Sequence, residues 1–194
     1  MIAARAGVTA RLIGWGLAIG WMLGLGLAVM SVAWPGPAIT VVSETLCGLS
    51  LSLPAAVVAL LIFLSNGPVP LVIGIAIFPR VFRFSRDLFV KALNRPQVLA
   101  ARARGIAERW ILLRYVARPA WAPLVALAGV CVSLAFGAVI PVEALCDLPG
   151  LGQLAWKAAT DRDLTLLVGL TLLVTTVTLT ANAAADIVLE SSRA

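Results

Sequence analysis

Residues 119–142 read PAWAPLVALAGVCVSLAFGAVIPV, running from Pro119 to Val142 without one Asp, Glu, Lys or Arg. A helix needs roughly 20 apolar residues to cross the hydrocarbon core of a bilayer, and this stretch is long enough. A strand of a membrane barrel would alternate apolar and polar positions. Here every face is apolar, so the backbone must satisfy its polar groups within a helix. Three further uncharged stretches lie at 12–43, 45–79 and 164–185. The whole chain is 61% hydrophobic and 12% charged, against about 25% charged in a soluble domain. These features predict an all-α, polytopic helical membrane protein: a single transmembrane domain over 1–194 with about five spans, near 12–33, 45–65, 70–93, 121–140 and 164–189. The first apolar run exceeds the roughly 7–15 residues of a cleaved signal core and is read as a span.

The charge that remains is concentrated. Ten basic residues fall between Arg80 and Arg118 against two acids, Asp87 and Glu108. Cytosolic loops carry this excess under the positive-inside rule. Nucleic-acid binding would need a solvated basic face on a folded domain, which the pattern excludes. With the basic loop 95–118 cytosolic, five spans place the N-terminus outside and the C-terminus inside, although Arg5 and Arg11 would prefer the cytosol. The loop at 141–163 is then extracytoplasmic.

Local patterns add detail. Gly16, Gly20, Gly24 and Ala28 recur every fourth residue, a small stripe along which a second helix can approach closely. Trp34-Pro35-Gly36-Pro37 ends the first helix. Pro54 kinks the second span, and Pro141 closes the fourth. Arg80, Arg83 and Arg86 share one broad helix face. At mid-membrane each would cost about 2.5–3.5 kcal/mol, so they belong at the boundary or in a protein-lined polar site. Cys47, Cys131 and Cys146 lack metal-ligand spacing and read as packing residues. The chain has no histidine, which argues against a membrane-embedded hydrolase built on a Ser–His pair or a metal site.

Within the basic loop, Pro96 suits a first helical position. Gln97–Arg104 reads as a short helix, and Gly105 follows at the position that takes a left-handed conformation to stop it. A second helix is expected from about Ala107, leading into the fourth span.

Ala101-Arg102-Ala103-Arg104-Gly105-Ile106-Ala107-Glu108-Arg109, followed by Leu112-Leu113-Arg114, resembles the cytosolic loop of binding-protein-dependent ABC importer permeases. The similarity is to the dipeptide/oligopeptide/nickel class, and to the first of its two paired membrane subunits. Val142-Glu143-Ala144-Leu145-Cys146-Asp147-Leu148-Pro149-Gly150-Leu151-Gly152 is similar to that class's extracytoplasmic signature. Arg83, Arg86, Arg162-Asp163, Asn182 and Asp186 also match.

The resemblance implies a type I ABC importer permease fold in the cell inner membrane. It implies a second homologous permease subunit, two cytosolic ATPase subunits and an extracytoplasmic substrate-binding protein as partners. Leu99, Ala100, Ala101, Arg102, Ala103, Arg104 and Gly105 would form the ATPase-coupling helix. Glu143, Leu148, Pro149, Gly150 and Gly152 would form the extracytoplasmic gate and docking region. No cofactor and no catalytic residue is expected. The chain has no Gly-Lys pair for a phosphate loop, so ATP would be bound by partner subunits. Peptides are the expected cargo, with nickel or a metal chelate as an alternative. Leu99 stands where many relatives have an acidic residue. Ala107 stands where a hydroxyl would cap the next helix, forgoing about 1 kcal/mol. Family members normally carry another span and an extracytoplasmic segment before the equivalent of Leu12. The chain is therefore expected to be a truncated form, which could be a non-transporting fragment, or a minimal variant.

Overall fold

Residues 2–34 and 36–191 are described by the computed structural model. Among them lie nine α-helices and one π-helical turn, with no strand. The helices are α1 (Ile2–Ala33), α2 (Pro37–Ser52), α3 (Ala55–Leu64), α4 (Pro70–Leu93), α5 (Pro96–Ala103), α6 (Glu108–Ile111), α7 (Arg118–Leu145), α8 (Leu151–Thr160) and α9 (Leu164–Ser191), with the π-turn at Leu112–Ala117. Pro35 and the C-terminal tail at 192–194, both included in the sequence reading, lie outside the described residues.

The stripe on α1 decides the packing. A Cβ added at Gly16 would lie 2.5 Å from Ile73 Cβ, and one at Gly24 would lie 2.7 Å from Val81 Cβ. Between them, Gly20 faces the carbonyl of Gly74, and Ala28 is fully buried. Small residues let the two backbones meet at distances a side chain would forbid. Partner numbers rise together from Gly16–Ile73 to Gly24–Val81, so α1 and α4 run parallel.

Parallel neighbours require a return crossing between them, and α2 and α3 supply it. Ser50 donates to the Ile75 carbonyl at 2.6 Å, and Glu44 reaches Arg83 and Arg86 further along α4, so α2 runs antiparallel to α4. The structure departs from the kinked span expected over 45–65. The helix begins earlier, at Pro37, and breaks at Leu53-Pro54 into two pieces bent by 96°. Pro54 has no amide to continue the ladder and biases Leu53 to extended backbone.

α7 returns antiparallel to α1, and α9 antiparallel to α7. Asn182 Nδ2 donates to Ser133 Oγ at 3.0 Å, and Gly129 makes room for Asn182 and Ala185. The ranges Ala4–Ala33, Glu108–Leu145 and Leu164–Ser191 are each long and apolar enough to cross a membrane, with the bent pair as a fourth candidate. α4 is uncharged only over 70–79 and is not among these candidates, although it lies along α1. α7 does not stop at Pro141 as expected; it continues to Leu145. The extra turn buries Val142 and Glu143 completely, which offsets the hydrogen bond that Pro141 cannot make. The loop expected over 141–163 also contains a helix, α8, that the sequence reading omitted.

The bundle has two chemically different ends. One gathers Arg5, Thr9, Glu143, Asp147 and α8. The other gathers the C-terminal ends of α1, α4 and α9 with α5 and α6, and carries the basic excess. Arg5 and Arg11 lie at the first end, where Arg5 Nη1 donates to Gln153 Oε1 at 3.2 Å. Cys47, Cys131 and Cys146 are free and buried, in keeping with a packing role.

Candidate functional site

At the basic end, α5 starts on Pro96 and closes with two overlapping bonds. Gly105 N donates to Arg102 O at 2.9 Å, and Ile106 N donates to Ala101 O at 3.2 Å. This pair satisfies carbonyls that would otherwise be orphaned at the helix end, and requires a left-handed residue between them. Gly105 has φ +76°. Ile106 folds back over Val98, Ala101 and Ile111, which form a small apolar cluster beneath the hairpin. Arg102 clasps Glu108 across the turn, with Nε donating at 2.7 Å and Nη2 at 3.3 Å. Of the expected coupling residues, Ala101 is buried; Leu99, Ala100, Arg102, Ala103, Arg104 and Gly105 face outward. Leu99, Trp110 and Leu113 are large apolar side chains left exposed nearby.

The hairpin joins α7 through the π-turn. Pro119 has no amide for the Tyr115 carbonyl, and the wider turn just before it relieves that mismatch. Ala107 is the N-cap of α6 and makes no side-chain cap, as its residue type dictates.

At the opposite end, Glu143 organises the loop. Its carboxylate is fully buried and accepts from Gly152 N at 2.7 Å, Gln153 N at 3.3 Å and Thr9 Oγ1 at 2.7 Å. Thr9 Oγ1 in turn accepts from Leu151 N at 2.8 Å. The first three amides of α8 are thus all satisfied by side chains from α7 and α1, a negative charge at the positive helix end. Gly150 and Gly152 are required there: a Cβ on Gly150 would collide with the Glu143 carboxylate, and one on Gly152 would lie 2.7 Å from Ile140 Cα. Leu148 packs against the main core, its amide bonded to Glu143 O at 3.0 Å. Pro149 is exposed and makes no part of this network. Gln153 Nε2 extends the chain of contacts to Asp147 Oδ1 at 2.5 Å.

The sequence singles out Glu143, Gly150 and Gly152 as a gate and docking region; the structure joins them in the cap of α8 and adds Thr9 and Gln153, which the sequence does not mark. A hydroxyl in an apolar helix gives no signal of its own. Arg83 and Arg86 meet Glu44 at 3.9 and 3.5 Å, the polar environment their position required.

A family model described as "Binding-protein-dependent transport system inner membrane component" matches residues 12–192. A protein named as a peptide permease of Brucella suis biovar 1 is 28% identical over 215 residues, covering 96% of this chain and 67% of that protein. The glutathione transport system permease protein GsiC of Salmonella choleraesuis is 29% identical over 167 residues, covering 77% of this chain; the match spans 53% of that protein, about half its length. Among solved structures, a chain of the MetNI methionine ABC transporter in an inward-facing form superposes with TM-score 0.82 at 15% identity, covering 99% of this chain and 96% of that one. A chain of an amino acid ABC transporter gives TM-score 0.74 at 16% identity, covering 98% and 93%. These two likenesses concern the fold, which is that of ABC importer permeases.

Proposed function

Because the chain belongs to the family of binding-protein-dependent transport system inner membrane components, we propose that it is the membrane-spanning permease subunit of an ATP-driven peptide importer. The observation that carries this reading is the closed hairpin at the basic end, where α5, Gly105 and the Arg102–Glu108 clasp form one compact unit between α4 and α7. Such a unit can receive a push from a soluble ATPase and pass it into two membrane helices at once. Leu99–Gly105 is assigned as the coupling segment and the basic loop as cytosolic. ATP is bound by partner subunits, two cytosolic ATPases, and the chain itself is a permease rather than an enzyme. A second, homologous permease subunit completes the path. An extracytoplasmic binding protein delivers cargo to the end organised by Glu143, Leu148, Pro149, Gly150 and Gly152. Relatives named for peptides and for glutathione, itself a tripeptide, support peptide cargo over nickel.

Reconstitution tests the reading. The chain, co-expressed with a matched ATPase, second permease and binding protein, should co-purify with them and give ATP-dependent peptide uptake in proteoliposomes. Turnover of peptide without ATP, or failure to recover the ATPase with the chain, would reject it.

A further inference from the structure

A cavity of about 440 Å³ opens at the basic end between α1, α2, α4 and α5. Its polar lining comes from Ser31, Thr40, Arg86, Asn94 and Arg102, and Val90 contributes an apolar wall. No carboxylate is found among the described residues that line it. The two arginines come from different elements, α4 and α5, and line one space. Ser31 and Thr40 already give their hydroxyl protons to backbone carbonyls, Ala28 O at 2.8 Å and Gly36 O at 3.3 Å. Their oxygens therefore stand as acceptors, and donation into the cavity falls to the arginines and the Asn94 amide.

The end of the apolar run on α1 assigns the cavity to headgroup depth. The apolar run of α1 ends at Ala33, and Trp34 follows it 66% exposed, as interfacial tryptophans do. A pocket with two forked donors, mixed polar and apolar walls and this depth suits a phosphate carried on an acyl-bearing molecule. We propose that it holds the phosphate of an anionic phospholipid headgroup, which bridges Arg86 to Arg102 and so pins the coupling hairpin to the membrane helices. Each arginine also has a carboxylate partner outside the lining, Glu44 for Arg86 at 3.5 Å and Glu108 for Arg102 at 2.7 Å. Both pairs are solvent-accessible, and exposed ion pairs of this kind are weak, so a phosphate can compete for them.

The test is native mass spectrometry of the purified full chain in micelles containing equal phosphatidylglycerol and phosphatidylcholine. One phosphatidylglycerol should be retained in preference. In Arg86→Gln/Arg102→Gln that preference should fall about tenfold or more, as expected for two lost charge-assisted contacts. Arg114→Gln at the same end and Arg11→Gln at the other should leave it intact. Glu44→Gln should raise it by freeing Arg86, a gain that a merely damaged fold would not produce. Equal loss in Arg114→Gln would overturn the proposal in favour of a diffuse basic surface. Displacement of the lipid by excess inorganic phosphate would overturn it in favour of a soluble anion. The inference rests only on the chain crossing a bilayer, so a chain that transports with its ATPase but retains no anionic lipid rejects this site alone.

Discussion

The carboxylate of Glu143 accepts the backbone amide of Gly152 at 2.7 Å, which makes a residue at the end of α7 the cap of α8. Hydrogen bonds to a charged group contribute about 1.5–3 kcal/mol. Glu143→Gln removes the charge and turns an NH2 toward amide donors. We expect a loss of about 2–3 kcal/mol, read as a lowered midpoint of thermal unfolding of the detergent-purified chain. Thr9→Val, nearly the same size, should lose about 1–3 kcal/mol because Glu143 and Leu151 both forfeit a partner. An unchanged midpoint in both variants would mean that α8 is held by something else.

Gly24 and Val81 set the distance between α1 and α4. Gly24→Leu would drive a branched side chain against Val81 and the Phe78 carbonyl, which lies 2.9 Å from where a Cβ would stand. Overpacking of this kind costs about 1–3 kcal/mol or more. A disulfide engineered between the facing helices should form readily in the parent chain and fail in this variant.

Gly105 sits at φ +76° with open space around its missing Cβ, so backbone conformation rather than crowding selects it. A valine there faces about 1–2 kcal/mol of left-handed strain. Asparagine should be tolerated, since Asn66 closes α3 at φ 53° with the same pair of bonds. In the reconstituted importer, Gly105→Val should hydrolyse ATP with much reduced transport while the complex still assembles; Gly105→Asn should transport near the parental rate.

The three native cysteines are buried, Cys146 at 5% exposure. Burial pushes the Cys146 thiol above its ordinary pKa, which lowers the thiolate fraction at any given pH. Raising pH through the usual thiol range should therefore leave the parent chain poorly labelled by a membrane-impermeant maleimide. Ala103→Cys should then label only from the cytosolic side and Ala159→Cys only from the opposite side. Labelling of both from one side would reject the topology.

Much of this was legible because apolar length and charge position act locally. The runs at 12–43 and 164–185, the stripe through Gly24 and the stop at Gly105 each state their role within a few residues. In sequence the break at Pro54 reads as no more than a kink, because sequence does not show how far two half-helices diverge. Continuation through Pro141 depends on burying Glu143, which depends in turn on Thr9 on a distant helix. α8 was overlooked for a related reason. Its cap is supplied from α7 and α1, so no capping residue announces it, and it ends on Arg162 at φ 58° rather than on a glycine.

The parallel seam between α1 and α4 has a mechanical consequence. The glycines of α1 meet Ile73, Ile77 and Val81 of α4, β-branched side chains that are stiff at χ1, so the seam has little slack and the pair is expected to move as one strut. Force applied at the Pro96 end of that strut would then be carried along it to Thr9, beneath the cap of α8. The two chemically distinct ends of the molecule are in this sense opposite ends of a single rod.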